Sequence, residues 1–157
     1  MSAQKITRIV AIAVVTSVAA LIPGPSIGVA SVSASARKGE LHVTKECGDY
    51  HGAAGEFCTI TSSNLTEIVN NSKVFYDQAA GIPTGLLDSN VVLGAGNGDR
   101  AVGRCTLDLE TLLGLCTFSD GTGRFSGFQA RVEVSYLGTD SDFAWDGTYS
   151  FTPRADR

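Results

Sequence analysis

The feature that most constrains the fold is a pair of alternating segments near the end of the chain, at residues 128–136 and 145–151. The first has its apolar side at Phe128, Ala130, Val132, Val134 and Tyr136, and the second at Trp145, Gly147, Tyr149 and Phe151. A period of two places one side of a strand in a buried face and the other in solvent. Arg131, Glu133 and Asp146 are therefore expected outside. The pattern predicts a C-terminal hairpin of an antiparallel sheet or barrel.

Further strands are predicted upstream from short runs that are rich in strand-forming residues. These runs are 57–61, 73–78, 87–93, 101–109 and 113–119. The glycine-rich segment 94–98 predicts a hairpin turn, because a phosphate-binding loop would need a helix after its last glycine. The pattern holds no amphipathic helix of useful length. About seven or eight strands at this spacing predict an all-β fold, an antiparallel barrel of about eight strands.

The N-terminal segment has the order of a secretory signal peptide. A short basic region at residues 5–8 precedes an uncharged apolar run at 9–22, and small residues lead to an Ala-Ser-Ala cleavage pattern at 34–36. The run is shorter than the roughly 20 residues of a transmembrane helix; a retained membrane anchor is the alternative. The pattern predicts a signal peptide at 1–36, a single β-barrel domain at 37–157, and secretion of the mature protein.

The charge of the predicted mature chain limits its partners. It holds ten basic and sixteen acidic residues, so its formal net charge is −6. A mildly acidic domain without a basic cluster argues against nucleic acid and anionic membranes as partners. No second apolar segment predicts stable membrane insertion once the signal peptide is cleaved. The pattern carries no signal for the oligomeric state.

The four cysteines predict two local disulfides. An even count in an exported chain favours bridges, and four cysteines allow three connectivities. The spacing favours Cys47 with Cys58 and Cys105 with Cys116, because both loops then have the same length. The second pair would also face each other across a hairpin that turns near Glu110. Each bridge is expected to stabilise the fold by roughly 3 kcal/mol.

The residue spacing gives little support for a metal site or for a catalytic triad. Zinc sites bring cysteines in pairs two to four residues apart, and no such pair is present. The only histidines are His42 and His51, and no triad spacing links them to a nucleophile. We therefore predict no metal and no cofactor, and we place both histidines in exposed loops.

One stretch resembles a known superfamily. Residues 120–125 read Asp-Gly-Thr-Gly-Arg-Phe, an alternating strand follows, and residues 145–151 read Trp-Asp-Gly-Thr-Tyr-Ser-Phe. This looks like the allene oxide cyclase and dirigent barrel superfamily, in particular its small secreted bacterial members. Upstream, residues 87–93 and 105–109 are similar to such members as well. The likeness is specific only around residues 117–151, and its best motif is a structural turn.

The resemblance implies an eight-stranded antiparallel barrel with a central cavity. Members of the superfamily close rings in oxylipins and polyketides, or steer radical coupling without performing the oxidation. If this chain is an enzyme, the resemblance therefore implies a cyclase or isomerase that needs no cofactor. None of the catalytic residues of the plant cyclases matches a position here, so the catalytic residues stay unassigned, and fold alone transfers no activity.

The inner face of such a barrel is where a small apolar ligand would bind. An eight-stranded barrel has room either for side chains alone or for one small ligand. The aromatic residues expected to line the cavity or to fill it are Tyr76, Phe118, Phe128, Tyr136, Trp145, Tyr149 and Phe151. Asp88, Asn90 and Glu133 are polar candidates only if their strands turn them inward, and the alternation predicts Glu133 outside.

Three functional classes remain open at this point. The first is a secreted barrel that binds a small apolar molecule and cyclises or isomerises it, and the second is a binding module without chemistry. The third is a structural or host-interaction protein that acts through its surface. A cavity that holds a polar group favours the first class, a purely apolar cavity the second, and a filled barrel the third.

Export is the prediction that the sequence alone generates. We expect the protein in the culture medium to begin near residue 37, because the Ala-Ser-Ala pattern ends at Ala36. N-terminal sequencing of the secreted protein checks this. Recovery only from washed membranes, with Met1 or Ser2 at the N-terminus, would contradict it.

Overall fold

The computed structural model of this protein describes residues 36–81 and 84–152. The predicted signal peptide lies outside the described residues, apart from Ala36. Within the described part of the chain, no helix is long and apolar enough to cross a membrane.

Eight antiparallel strands form a closed barrel in sequence order, and the last strand pairs with the first. The strands are β1 (Arg37–Glu46), β2 (Phe57–Ser63), β3 (Lys73–Tyr76), β4 (Leu86–Gly94), β5 (Arg100–Asp108), β6 (Leu113–Gly121), β7 (Phe128–Tyr136) and β8 (Asp142–Phe151). A short 3-10 turn, Gly123–Phe125, lies between β6 and β7. The predicted all-β barrel of about eight strands is thus confirmed.

The first strand is the element that the sequence pattern did not predict. His42, which we placed in a loop, lies in the middle of β1, and that part of the prediction was wrong. Its side chain is nevertheless exposed as expected, and its Nδ1 lies 2.7 Å from Asp146 Oδ1 on β8. His51 does lie in an exposed loop. At the start of β1, charged residues alternate with Gly39 and Leu41, so Leu41 is the only large apolar residue among its first five positions. The apolar alternation that would predict a strand is therefore weak there.

The interior is filled through the middle of the barrel. Inward-facing residues of neighbouring strands meet there, and the largest that are fully buried include Trp145, Leu41, Val43 and Val132. Phe128 is fully buried at the end where β7 begins. The Phe118 ring centroid lies 5.5 Å from that of Trp145 and 6.0 Å from that of Phe128. The three charged residues predicted outside, Arg131, Glu133 and Asp146, are exposed. The period of two therefore assigns the faces of β7 and β8 correctly.

Glycine permits the close approach of two strands at one inner position. A Cβ at Gly147 would lie 2.1 Å from the Arg131 carbonyl oxygen and 2.8 Å from the Val132 Cα. A strand-interior glycine of this kind marks a place where another backbone comes close. The tight contact between β7 and β8 therefore depends on the missing side chain.

Both predicted disulfides are present. Cys105 and Cys116 are directly opposed in the β5–β6 ladder, with Cα atoms 4.1 Å apart, and both are buried inside the barrel. Cys47 and Cys58 have Cα atoms 4.4 Å apart and join the chain just after β1 to the start of β2. One bridge therefore joins two neighbouring strands, β5 and β6, at a buried position, and the other links the end of β1 to β2 at one end of the barrel.

We expect Cys105→Ala/Cys116→Ala to lower the free energy of unfolding by roughly 2–5 kcal/mol, because the bridge restricts the unfolded chain and both sulfurs are packed in the core. Denaturant unfolding of the oxidised protein and of the variant measures the difference. Mass mapping of non-reduced peptides is the control for connectivity. A Cys58–Cys105 peptide, or a change near zero, would contradict the prediction.

Candidate functional site

A pocket of about 330 Å³ opens at one end of the barrel. It lies where β1, β3, β5 and β7 end and where β2, β4, β6 and β8 begin. Its aliphatic wall consists of Leu87, Leu107, Leu109 and Leu112, and the Cys47–Cys58 bridge also lines it. Ligand pockets of proteins are of this kind, mainly apolar with a few polar groups that orient the ligand.

Lys45 is the charged residue among the pocket-lining side chains. It follows Leu41 and Val43 on the inward-facing side of β1, and only 4% of its surface is exposed. Its Nζ donates a hydrogen bond to Tyr76 Oη at 2.6 Å. Its Nζ also lies 3.9 Å from the Cys58 sulfur.

Aromatic rings surround the Lys45 amine in place of a carboxylate. Its Nζ lies 5.1 Å from the Trp145 ring centroid, 5.3 Å from that of Tyr76 and 5.4 Å from that of Phe143. Such contacts stabilise a cation, but less than an ion pair would in a buried site. No ion pair of the described residues includes Lys45. Burial therefore lowers the pKa of Lys45 from 10.5 to about 7.

Two tyrosine hydroxyls accompany the amine. Burial raises the pKa of Tyr76, so this hydroxyl stays protonated and able to donate a hydrogen bond. The Tyr50 ring lies 4.9 Å from the Tyr76 ring, and burial together with the charge of Glu56 raises the pKa of Tyr50 as well. The Tyr50 hydroxyl oxygen is buried without a hydrogen-bond partner among the described residues. A buried polar atom of this kind in a pocket wall is suited to a ligand oxygen.

Loop residues at this end of the barrel form the rest of the pocket wall. Tyr50 donates its backbone N–H to the Cys47 carbonyl at 3.0 Å, so the disulfide holds the loop that carries it. Leu112 has a φ of 56°, in the left-handed region. This conformation costs a leucine roughly 1–2 kcal/mol. The turn between β5 and β6 therefore bears strain at a residue that lines the pocket.

The structure separates the predicted cavity residues into three groups. Tyr76 and Tyr136 line the pocket, Tyr136 at its rim with 41% of its surface exposed. Phe118 and Trp145 pack in the middle of the barrel, outside the pocket wall, and Phe128 is buried at the end of the barrel opposite the pocket, where it pairs with Phe151. Tyr149 and Phe151 are partly buried towards the other end, where their rings contact each other. Whether any of them contacts a ligand stays a prediction.

The polar candidates from the sequence do not face the interior. Ser89, between Asp88 and Asn90, is fully buried, and its two neighbours on β4 consequently point outward. The Asp88 carboxylate accepts a hydrogen bond from Arg104 at 2.6 Å on the outer surface. Glu133 is exposed, as the alternation predicted. These three residues are therefore not part of the pocket.

Sequence reasoning missed Lys45, the central residue of the site. The signal was present, because Leu41, Val43 and Lys45 alternate with His42 and Thr44 in a run of period two. Continuing that alternation puts Lys45 on the buried face. A lysine at an inward position is unusual, and a strongly shifted pKa in a cleft is a physical indication of a functional site.

A second depression, of about 800 Å³, lies on β1, β6, β7 and β8. Its lining consists largely of outward-facing polar residues, among them Lys38, Glu40, Gln129 and Arg131. Charges of both signs mix there without a buried polar group. In the described residues, no group of three or more His, Cys, Asp or Glu side chains is placed to hold a metal ion. The pocket at Lys45 is therefore the stronger candidate.

In comparisons with known proteins, the chain matches no protein-family model, no curated protein and no solved structure.

The buried amine predicts a distinctive pH dependence of stability. An unfolded lysine keeps its proton up to about pH 10, whereas folded Lys45 loses it near 7, so folding releases a proton between these values. The free energy of unfolding of the wild type therefore rises with pH in this window. Lys45→Met has no such proton, and its stability relative to the wild type should fall by up to about 4 kcal/mol from pH 6 to pH 10.

Denaturant unfolding at several pH values measures this difference. Lys38→Met is the matched control, since it removes a lysine from the exposed face of the same strand. Its stability relative to the wild type should change little across the same range. Parallel pH profiles for Lys45→Met and the wild type would show that Lys45 carries its proton at neutral pH.

Proposed function

We propose that this protein is a ligand-binding barrel that holds a small, mainly apolar molecule by an oxygen-bearing head group. The observation that carries the proposal is Lys45, a buried amine at the wall of an apolar pocket that forms no ion pair with a described carboxylate. Burying such a group is unfavourable for stability. Binding of a ligand head group is a function that offsets this cost.

The size and lining of the pocket define the ligand class. At about 30 Å³ for a water-sized group, the cavity of about 330 Å³ holds about eleven such groups. The four leucines favour an aliphatic or alicyclic body. Lys45 and Tyr76 would hydrogen-bond the head group, and the unpartnered Tyr50 hydroxyl offers one more donor.

Among the three functional classes, the arrangement favours the first. The middle of the barrel is filled by residues such as Trp145 and Phe118, but the pocket at its end contains a polar group. Cofactor-free isomerisation or cyclisation belongs to the same proposal, because Lys45 exchanges a proton near neutral pH beside a protonated Tyr76. A surface-acting protein without a ligand is the alternative.

Membership of the allene oxide cyclase and dirigent superfamily is also a proposal. The Gly-Thr-Gly-Arg-Phe motif leads into β7, and the eight-stranded closed barrel agrees with the fold that the resemblance implies. Secretion is proposed on the signal-peptide pattern, with support from two disulfides, which persist mainly in oxidising compartments.

Binding of 1-octanol and octanoate tests the proposed function. We expect saturable binding of the uncharged 1-octanol with a Kd in the micromolar range, which is a binding free energy of about −8 kcal/mol. Octanoate should bind more weakly, because Lys45 is the one cation in the described lining. Trp145 is the only tryptophan and its ring lies 5.1 Å from Lys45 Nζ, so ligand at the amine should change its fluorescence. Isothermal calorimetry gives an independent Kd.

Two variants of β5 locate the binding site. Leu107→Trp puts a large side chain into the pocket and should abolish the calorimetric signal, whereas Val102→Trp adds the same side chain to the exposed outer face of that strand and should preserve it. Circular dichroism confirms that both variants fold. No binding of either compound by the wild type, or equal binding by both variants, would reject the pocket and leave the surface-acting alternative.

A further inference from the structure

We propose that Lys45 forms a reversible imine with an aldehyde or ketone that enters the pocket, and that Tyr76 transfers the protons of this reaction. The inference rests on the proposed function, since the carbonyl compound is a member of the ligand class that the pocket accepts. It goes further in assigning a covalent bond and a chemical identity to the head group.

The surroundings of Lys45 favour a neutral ligand over an acid. The titratable side chains in the pocket lining are Lys45 and the tyrosines Tyr50, Tyr76 and Tyr136, and the two lining cysteines are joined in a disulfide. No Asp, Glu, Arg or His belongs to the described lining. A carboxylate would therefore need Lys45 in its charged form, and no second cation would assist it. A carbonyl compound needs the neutral amine, which the apolar surroundings favour.

The amine is available as a nucleophile in this arrangement. Its hydrogen bond goes to a hydroxyl, and none of the carboxylates that the structure describes forms an ion pair with it. Desolvation in an apolar pocket is one of the ways in which a lysine becomes a nucleophile towards carbonyl compounds. The leucines and the Phe143 ring make the pocket lining around it apolar, and an apolar lining is expected to slow hydrolysis of the imine.

Tyr76 is placed to handle the protons. Its Oη lies 2.6 Å from the Lys45 nitrogen. The centroid of its ring lies 4.9 Å from that of the Tyr50 ring. When the lone pair of the amine attacks the carbonyl carbon, a C–N bond forms and the C=O π electrons move to oxygen. That oxygen takes the Tyr76 proton, and the nitrogen then returns one proton to Tyr76. The product is a neutral carbinolamine.

Loss of water completes the reaction. The nitrogen lone pair forms the C=N bond as the hydroxyl group leaves, and the remaining N–H proton joins that hydroxyl to give water. Amine and carbonyl compound thus yield imine and water, and nothing is oxidised or reduced. The reverse reaction consumes one water and releases the ligand unchanged.

Trapping with sodium cyanoborohydride tests the imine. We expect the mature protein, incubated with hexanal and the hydride, to gain the mass of one aldehyde less its oxygen atom. Peptide mapping should place the adduct on Lys45 and not on Lys38 or Lys73, the other lysines after residue 37. The N-terminal amine, which titrates near neutral pH, is an internal reference for an exposed amine. Excess 1-octanol should suppress the Lys45 adduct but not the N-terminal one.

Two tyrosine variants test the role of Tyr76. Tyr76→Phe should slow trapping at Lys45 at least about tenfold, because the proton donor is lost. Tyr149→Phe removes a hydroxyl from a partly buried tyrosine towards the other end of the barrel, outside the pocket lining, and should leave the rate unchanged. Octanol affinity of both variants, measured by calorimetry, separates a slow reaction from a lost pocket. Equal rates for the two variants would reject the role of Tyr76.

The results distinguish failure of the imine from failure of the pocket. If the wild type binds octanol but gives no adduct at Lys45, the imine is rejected and the binding function stands. If octanol neither binds nor protects Lys45, the proposed function itself is rejected. An adduct at Lys45 that persists in Leu107→Trp would show that the reaction does not use the pocket, and would also overturn the inference.

Discussion

The pairing of the first strand with the last is the constraint on which the rest of the structure depends. The β1–β8 ladder runs over the whole of both strands, from Arg37 opposite Phe151 to Glu46 opposite Asp142. This ladder closes the barrel and leaves neither terminal strand as an open edge. It also sets Lys45 opposite Phe143 and Val43 opposite Trp145, so the same contacts that complete the core carry the amine into the interior.

The barrel is packed in the middle and open at one end, because the inward-facing side chains differ between these two levels. Large rings such as Trp145 and Phe118 fill the middle layers, whereas leucines and loop residues surround the end near Lys45. The Cys47–Cys58 bridge secures that end, where regular ladder hydrogen bonds stop. The filled middle stabilises the fold. The buried Lys45 amine in the pocket lowers the free energy of unfolding at low pH, where it is protonated.

How far the sequence predicts this structure differs from element to element. The strict alternation of 128–136 and the spacing of the cysteines were sufficient for β7 and for both bridges, because each signal is local. For β1 the signal was weak, since its early inward positions hold only Gly39 and Leu41 between charged residues. The pocket could not be predicted, because its wall joins residues from Lys45 to Phe143 that are distant in the chain.

By itself, the sequence determined the fold class, the faces of the C-terminal hairpin and the disulfide pairs. Periodicity and spacing act over a few residues, so they can be read without knowing which strands are neighbours. Only the tertiary structure decided that Lys45 meets the Tyr76 hydroxyl and the rings of Tyr76, Phe143 and Trp145, and that it forms no ion pair with a carboxylate of the described residues. A pKa depends on burial and on all charges around the group, and closure of the barrel is what brings those surroundings together.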